Sequence, residues 1–230
     1  MRLSRRLQAV ARLAEGTGKM ADVGTDHGYI PIYLVQEAQA EHAIAMDIKK
    51  GPLERAKENI RLYGLEDKIE TRLSDGVAEL RAGEADTVVI AGMGGALTVN
   101  ILREGEEILS SVETLVLQPQ SELHLVRRYL QNNGYCIVTE DIERDEGKYY
   151  PMMKVRHGFQ KEWEEHESRY GKYLIRQKHP ILEEYLEKEL HTCENILIEL
   201  QKNQGAHIEK RLEEVEHQIQ LIGRTKEDMK

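Results

Sequence analysis

Five short stretches of the chain carry the residues that could do chemistry. "DVGTDHGYIP" sets Asp22 and Asp26 among Gly24, Thr25, His27 and Gly28. "AMDIKKG" contributes Asp47 and Ile48, "RLSDG" contributes Ser74, Asp75 and Gly76, and "AGMGG" and "LQPQSE" follow. A glycine turn between a strand and a helix ordinarily offers backbone N–H groups to a phosphate. Here the turn holds Asp26, which would repel one, and the second glycine of Gly-x-Gly-x-x-Gly is missing. A pyrophosphate is therefore a poor ligand for this loop. A ligand that brings positive charge is a better one, because a carboxylate pairs with it directly.

S-adenosylmethionine has that character, with an ammonium, a carboxylate and a sulfonium but no phosphate. Asp22-x-Gly24-x-Asp26-x-Gly28 matches the methyltransferase pattern Asp-x-Gly-x-Gly-x-Gly with one glycine replaced. Asp47, at the end of the second strand pattern, can accept from both ribose hydroxyls, a feature that a dehydrogenase would share. Asp75 suits the adenine amino group, although Asp75-Gly76 alone is equally a plain turn. Three acids at successive strand ends are more telling than any one, since strand ends of an open α/β sheet converge on one crevice. Gly92, Met93 and Gly94 let backbone approach the same place, and Gln118-Pro119-Gln120 reach its rim, with Ser121 as a helix cap.

The elements that must position these residues alternate up to about residue 157. Strand patterns cover Lys19–Val23, His42–Asp47, Ile69–Leu73, Thr87–Ala91, Thr114–Gln118, Tyr135–Ile142 and Tyr149–Arg156. Helix patterns fall between them at Ile30–Gln36, Gly51–Tyr63, Ala96–Leu109 and Glu122–Asn132. Such alternation implies a parallel sheet with helices on both faces, and "ERDEGK" closes a hairpin that adds an antiparallel edge. An amphipathic helix precedes the first strand, with Leu3, Leu7, Val10 and Leu13 on its stripe. After Gly158 glycine becomes scarce and Glu, Lys, Gln and Leu dominate, so the chain divides into residues 1–157 and residues 158–230. Phe159–Lys178 is expected as one helix. Leu186, Leu190, Cys193, Leu197 and Leu200, and then Ile208, Leu212, Val215, Ile219 and Ile222, form an a/d seam interrupted at Asn203-Gln204-Gly205. The pattern is that of two antiparallel helices forming a coiled-coil hairpin within one chain. The chain is expected to be monomeric, with a coiled-coil dimer as the other state the seam permits.

The 230 residues suffice for a proper core, and 40% apolar with 32% charged residues is ordinary for a soluble protein. No apolar run reaches the roughly 20 residues of a membrane span, and no secretion signal is evident, so a cytoplasmic setting is expected. Cys136 and Cys193 lie too far apart and in contexts too unlike to suggest a disulfide scaffold. No His or Cys spacing indicates a metal: His191 and Cys193 are two apart and diverge on a helix. The net charge of −9 argues against a general nucleic-acid coater, but not against a protein whose positive charge is local.

"DVGTDHGYIP", "AGMGG" and "LQPQSE", followed by a helical C-terminal coil, resemble the bacterial TrmK family of tRNA adenine(22)-N1-methyltransferases over essentially the whole chain. The resemblance implies a class I methyltransferase (Rossmann-like) fold, S-adenosylmethionine as methyl donor, tRNA as partner, and a coil that helps hold the tRNA. The nucleophile would be N1 of adenine, whose lone pair needs alignment more than a strong base. Asp26 is then the first candidate to hold the ammonium or to meet the charge developing on the base. Tyr29 could shape the base pocket and Gln118 could orient N6. His27 is either a general base or, more simply, a structural hydrogen-bond partner. Arg5, Arg6 and Arg127 are the candidate phosphate contacts, with Gly95 and Pro119 beside the target base. Methylation of another RNA or of a small molecule, and a cofactor-binding scaffold without activity, are the other functions these residues allow.

Overall fold

In the computed structural model the described residues are 1–202 and 206–230, and the expected helix junction at Asn203-Gln204-Gly205 lies outside them. The chain forms two compact units, Met1–Glu162 and Trp163–Lys230.

The first unit is built on strands β1 (Lys19–Val23), β2 (His42–Asp47), β3 (Ile69–Leu73), β4 (Thr87–Met93), β5 (Thr114–Pro119), β6 (Tyr135–Asp145) and β7 (Lys148–His157). They make one seven-stranded sheet in the order β3-β2-β1-β4-β5-β7-β6. The first five strands are parallel, and β7 runs antiparallel between β5 and β6. β1 and β5 are buried almost throughout, as parallel strands covered on both faces must be. The hairpin forms where "ERDEGK" predicts it: Glu146 (φ 49°) and Gly147 (φ 77°) are both left-handed, which matches the twist of the flanking strands.

Around the sheet lie α1 (Arg5–Ala14), α2 (Tyr29–Gln36), α3 (Lys50–Leu62), α4 (Gly95–Glu104), α5 (Glu106–Leu109) and α6 (Leu123–Asn132). Ser4 caps α1 by accepting from the Leu7 N–H at 3.3 Å. That helix buries Ala9, Val10, Ala11 and Ala14, so its small side chains bring it close to the sheet. The single helix expected over 96–109 breaks at Gly105. A Cβ there would lie 2.2 Å from Val77 Cγ2, so only glycine lets the chain pass at that distance. The sheet order reverses between β1 and β4, the place where an open α/β sheet leaves a crevice at its strand ends.

The second unit holds α7 (Glu165–Tyr170), α8 (Lys172–Arg176), α9 (Pro180–Leu200) and α10 (Ala206–Asp228). The continuous helix expected over 159–178 is absent. Residues 159–164 are not helical, and Gly171 at φ 99° separates α7 from α8. Pro180 opens α9 as expected, just after the His179 cap. α9 and α10 pack together and run in opposite directions, bringing Lys226 to 4.0 Å from Glu187. Leu186, Cys193, Ile208, Val215 and Ile222 of the expected seam are buried, whereas Leu190, Leu197, Leu200, Leu212 and Ile219 are half-buried. Both cysteines are free.

Candidate active site

The loop between β1 and α2 is fixed by its own backbone. The N–H groups of Gly24 and Thr25 both donate to the Met46 carbonyl at 2.8 Å. Gly24 is left-handed (φ 75°), and a Cβ on it would stand 2.2 Å from Met93 Cε, so the end of β4 lies directly against this turn. His27 (φ 66°) and Gly28 (φ 68°) are also left-handed, and Asn59 of α3 donates to the His27 carbonyl at 2.9 Å. A non-glycine residue in that region is held there by its surroundings. Its ring stacks on Tyr29 with centroids 5.1 Å apart and planes 8° from parallel.

The loop walls a cleft of about 330 Å³, together with Arg6, Leu7, Asp22, Gly92 and Gln120. Asp22 lies deep in it, only 6% exposed. Burial pushes its carboxyl up from 3.8 to about 6; a hydrogen bond from Thr25 pulls it down, the charge of Asp47 pushes it up and Arg6 pulls it down. Arg6 comes from α1. Its Nη1 donates to Gln118 Oε1 at 2.9 Å, its guanidinium lies over the Tyr150 ring at 5.5 Å, and its backbone N–H donates to Asp145 at 3.1 Å. That last bond holds the Asp145 carboxyl below its usual range. Arg6 and Asp22 thus face one cleft, with Arg6 held by Gln118 and Tyr150.

Several expectations change at this point. Asp26 is paired with Arg55 at 2.7 Å and its side chain is 62% exposed, so it sits at the mouth, already partnered, whereas Asp22 is the sequestered anion. Gln118 is fully buried and holds Arg6; Gln120, two residues on, is the amide that lines the cleft. Arg127 is fully buried and paired with Glu140 at 2.8 Å, so it presents nothing to RNA. Pro119 is buried too. Gly95 is a packing glycine, where a Cβ would meet the Ser121 carbonyl oxygen at 2.5 Å. Ser121 caps α4, accepting from the Gly95 N–H at 3.3 Å, rather than α6. Arg5 is exposed.

Asp47 closes β2 with Oδ1 accepting from the Lys49 N–H at 2.7 Å, and the exposed Ile48 follows. Ser74 is buried, bonding the Gly76 carbonyl at 2.9 Å, while Asp75 and Gly76 border a smaller pocket of about 120 Å³ against α4. Met93 and Gly94 carry β4 into α4. A donor set of one buried carboxylate, two further acids at the next strand ends and a glycine turn open to close approach fits S-adenosylmethionine. Among the described residues no group of three His, Cys, Asp or Glu could hold a metal, and no helix is long and apolar enough to cross a membrane.

Comparison with known proteins agrees with the geometry. The TrmK family profile, tRNA (adenine(22)-N(1))-methyltransferase, matches residues 20–224. The tRNA (adenine(22)-N(1))-methyltransferase of Bacillus subtilis is 39% identical over 158 residues, which span 69% of this chain and 66% of that protein. Streptococcus pneumoniae Sp1610 in complex with S-adenosyl-L-methionine superimposes with a TM-score of 0.87 at 33% identity, covering 97% of this chain and 99% of that one. M. capricolum TrmK in complex with S-adenosyl-homocysteine does so with a TM-score of 0.87 at 28% identity, covering 99% of both chains.

Proposed function

The chain belongs to the TrmK family of tRNA (adenine(22)-N(1))-methyltransferases, and from this premise we propose that it transfers a methyl group from S-adenosylmethionine to N1 of adenosine 22 in tRNA. One observation carries the reading: a buried carboxylate, Asp22, at the base of a cleft whose other walls offer a guanidinium, an aromatic pair and an amide.

When bound, S-adenosylmethionine supplies a methyl group made electrophilic by its sulfonium. Asp22 would hold the ammonium, Asp47 the ribose hydroxyls and Asp75 the adenine amino group. N1 is a Watson–Crick atom, so the target base has to leave its stack to reach the cleft. Tyr29, backed on one ring face by His27, then offers a surface against which the base can lie flat. Gln120 has its backbone N–H fixed to the Met93 carbonyl at 2.7 Å, which places its side-chain amide at the rim. That amide oxygen can accept from N6–H and meets the positive charge that grows on the base during transfer. Arg6 donates to the incoming nucleotide from the opposite wall. No residue is required to remove a proton beforehand, because the N1 lone pair is already free. The helical unit, residues 163–230, supplies part of the affinity for tRNA.

Incubation of the protein with labelled cofactor and tRNA transcripts, followed by mass mapping, tests this. Label should appear as N1-methyladenosine at position 22, and equal incorporation into a transcript with guanosine there would refute the assignment. A chain ending at Glu162 should retain cofactor binding and lose tRNA affinity, and undiminished affinity would remove the role given to the helical unit.

A further inference from the structure

We propose that a second pocket beside the cleft binds the nucleotide adjacent to the target adenosine, a subsite for the neighbouring base and its phosphate. The inference rests on the tRNA reading above.

The pocket has a volume of about 400 Å³, within the usual ~300–1,000 Å³ range of small-ligand sites. It lies between the start of α1 and the end of α3, and it shares Leu7 and Tyr29 with the cleft. Tyr63, on the far wall, is 36% exposed, as is Tyr29. Two partly open aromatic rings in a lining that also holds Met1, Leu3 and Leu7 suit a flat ligand, because any base has a π face that stacks on tyrosine. The polar groups fit as well. Asn59 uses its Nδ2 on the His27 carbonyl, which leaves Oδ1 as an acceptor. Ser4 also borders the pocket, but its hydroxyl is spent on the Leu7 N–H and the Asp145 carboxyl. Arg2 is exposed on the same wall and supplies the charge a phosphate needs.

Continuity with the cleft decides the occupant. Extruding the target base removes the stacking partner of its neighbour, which then exposes a face of its own. This pocket shares Tyr29 with the cleft and adds Tyr63. The acids assigned to the cofactor (Asp22, Asp47 and Asp75) do not border it, so it is not the methyl donor's seat.

The test compares full-length wild-type protein with Tyr63→Ala, Tyr63→Phe and Arg2→Ala in steady-state methylation of tRNA transcripts, with melting temperatures as a check on folding. Tyr63→Ala should raise KM for tRNA roughly 5- to 10-fold, the low end for loss of one base stack. Tyr63→Phe should keep the wild-type KM, and both should bind cofactor with unchanged Kd. Arg2→Ala should lower the slope of log KM against log salt by about one phosphate contact. Transcripts abasic at the nucleotide 5′ or 3′ to the target supply the second arm. For one of them wild-type KM should rise, and Tyr63→Ala should add nothing further. An unchanged KM for Tyr63→Ala, or effects that simply multiply on both abasic transcripts, would overturn the subsite while wild-type activity on tRNA stands. Absence of wild-type methylation of any tRNA would instead bring down the parent reading and the subsite with it.

Discussion

Asp22→Asn should make the ligand-free protein more stable and the enzyme inactive. A carboxyl whose ordinary value is 3.8 and whose value in the fold is about 6 is destabilising when charged, and the full difference corresponds to about 3 kcal/mol. An amide of the same shape avoids most of that penalty but must satisfy its own N–H groups, so a net gain of about 1–3 kcal/mol is expected. For a chain of this size that is a rise of roughly 3 to 10 °C in melting temperature. The pH dependence fixes the cause. Between the unfolded value and about 6 the native state holds a proton that the unfolded chain has released. Wild-type stability from this group therefore increases as pH falls through 6 and is lost as pH rises. The advantage of Asp22→Asn should be largest near pH 7.5 and shrink toward pH 5. Thermal melts of both proteins without ligand at the two pH values, followed by the same melts with S-adenosylmethionine, read this out; the cofactor should stabilise wild type only. A variant less stable than wild type at pH 7.5, or a difference independent of pH, would refute the claim that a buried, poorly paired charge defines this site.

Gln118→Ala removes the acceptor that holds Arg6 at 2.9 Å, and should raise KM for tRNA about 10-fold while leaving cofactor Kd near wild type; a change in Kd alone would contradict the role. Gly95→Ala drives a Cβ to within 2.5 Å of the Ser121 carbonyl oxygen, and should cost about 1–3 kcal/mol in denaturant unfolding together with a fall in kcat/KM. Arg127→Ala removes the cation that faces the buried Glu140 at 2.8 Å and should cost about 3–5 kcal/mol. If it instead weakened tRNA binding with no loss of stability, the exposed role first expected of Arg127 would be restored.

The sheet was legible because its signals are local. β1, β2 and β3 begin and end where the alternation of apolar runs and turns predicts, and the hairpin follows from Gly147, the residue of its turn suited to left-handed backbone. The direction in which a side chain points was less legible. Asp26 drew attention as the carboxylate in the turn, but the Arg55 that occupies it comes from α3, 29 residues away in sequence. Arg127 falls on the stripe of Leu123, Val126 and Leu130 and Arg128 does not, and Glu140 on β6 supplies the charge that lets the first be buried while the second is exposed. Gln120 could have been found from "LQPQSE", since alternation along a strand end turns residues 118 and 120 to one side while chain depth separates them. The break at Gly171 left no comparable mark, because glycine inside an apolar-periodic run is tolerated as often as it terminates one.

Two pairs of opposite charges in this unit are arranged differently. Arg127 and Glu140 lie in the interior and pair with each other at 2.8 Å. Asp22 and Arg6 line one cleft yet remain apart, the anion buried at its base and the cation held by Gln118 and Tyr150. A fold selected for stability alone would close that pair or replace it with apolar groups, since unpaired burial costs more than either. Keeping the charges separate by neutral partners leaves an anion for a ligand with an ammonium and a cation for a ligand with phosphates, side by side. S-adenosylmethionine and a nucleotide of tRNA have those complementary charges, and no phosphate-bearing dinucleotide would satisfy Asp22. The carboxylate that makes the glycine loop unfit for a pyrophosphate at its mouth, Asp26, is therefore secondary to the one at its base.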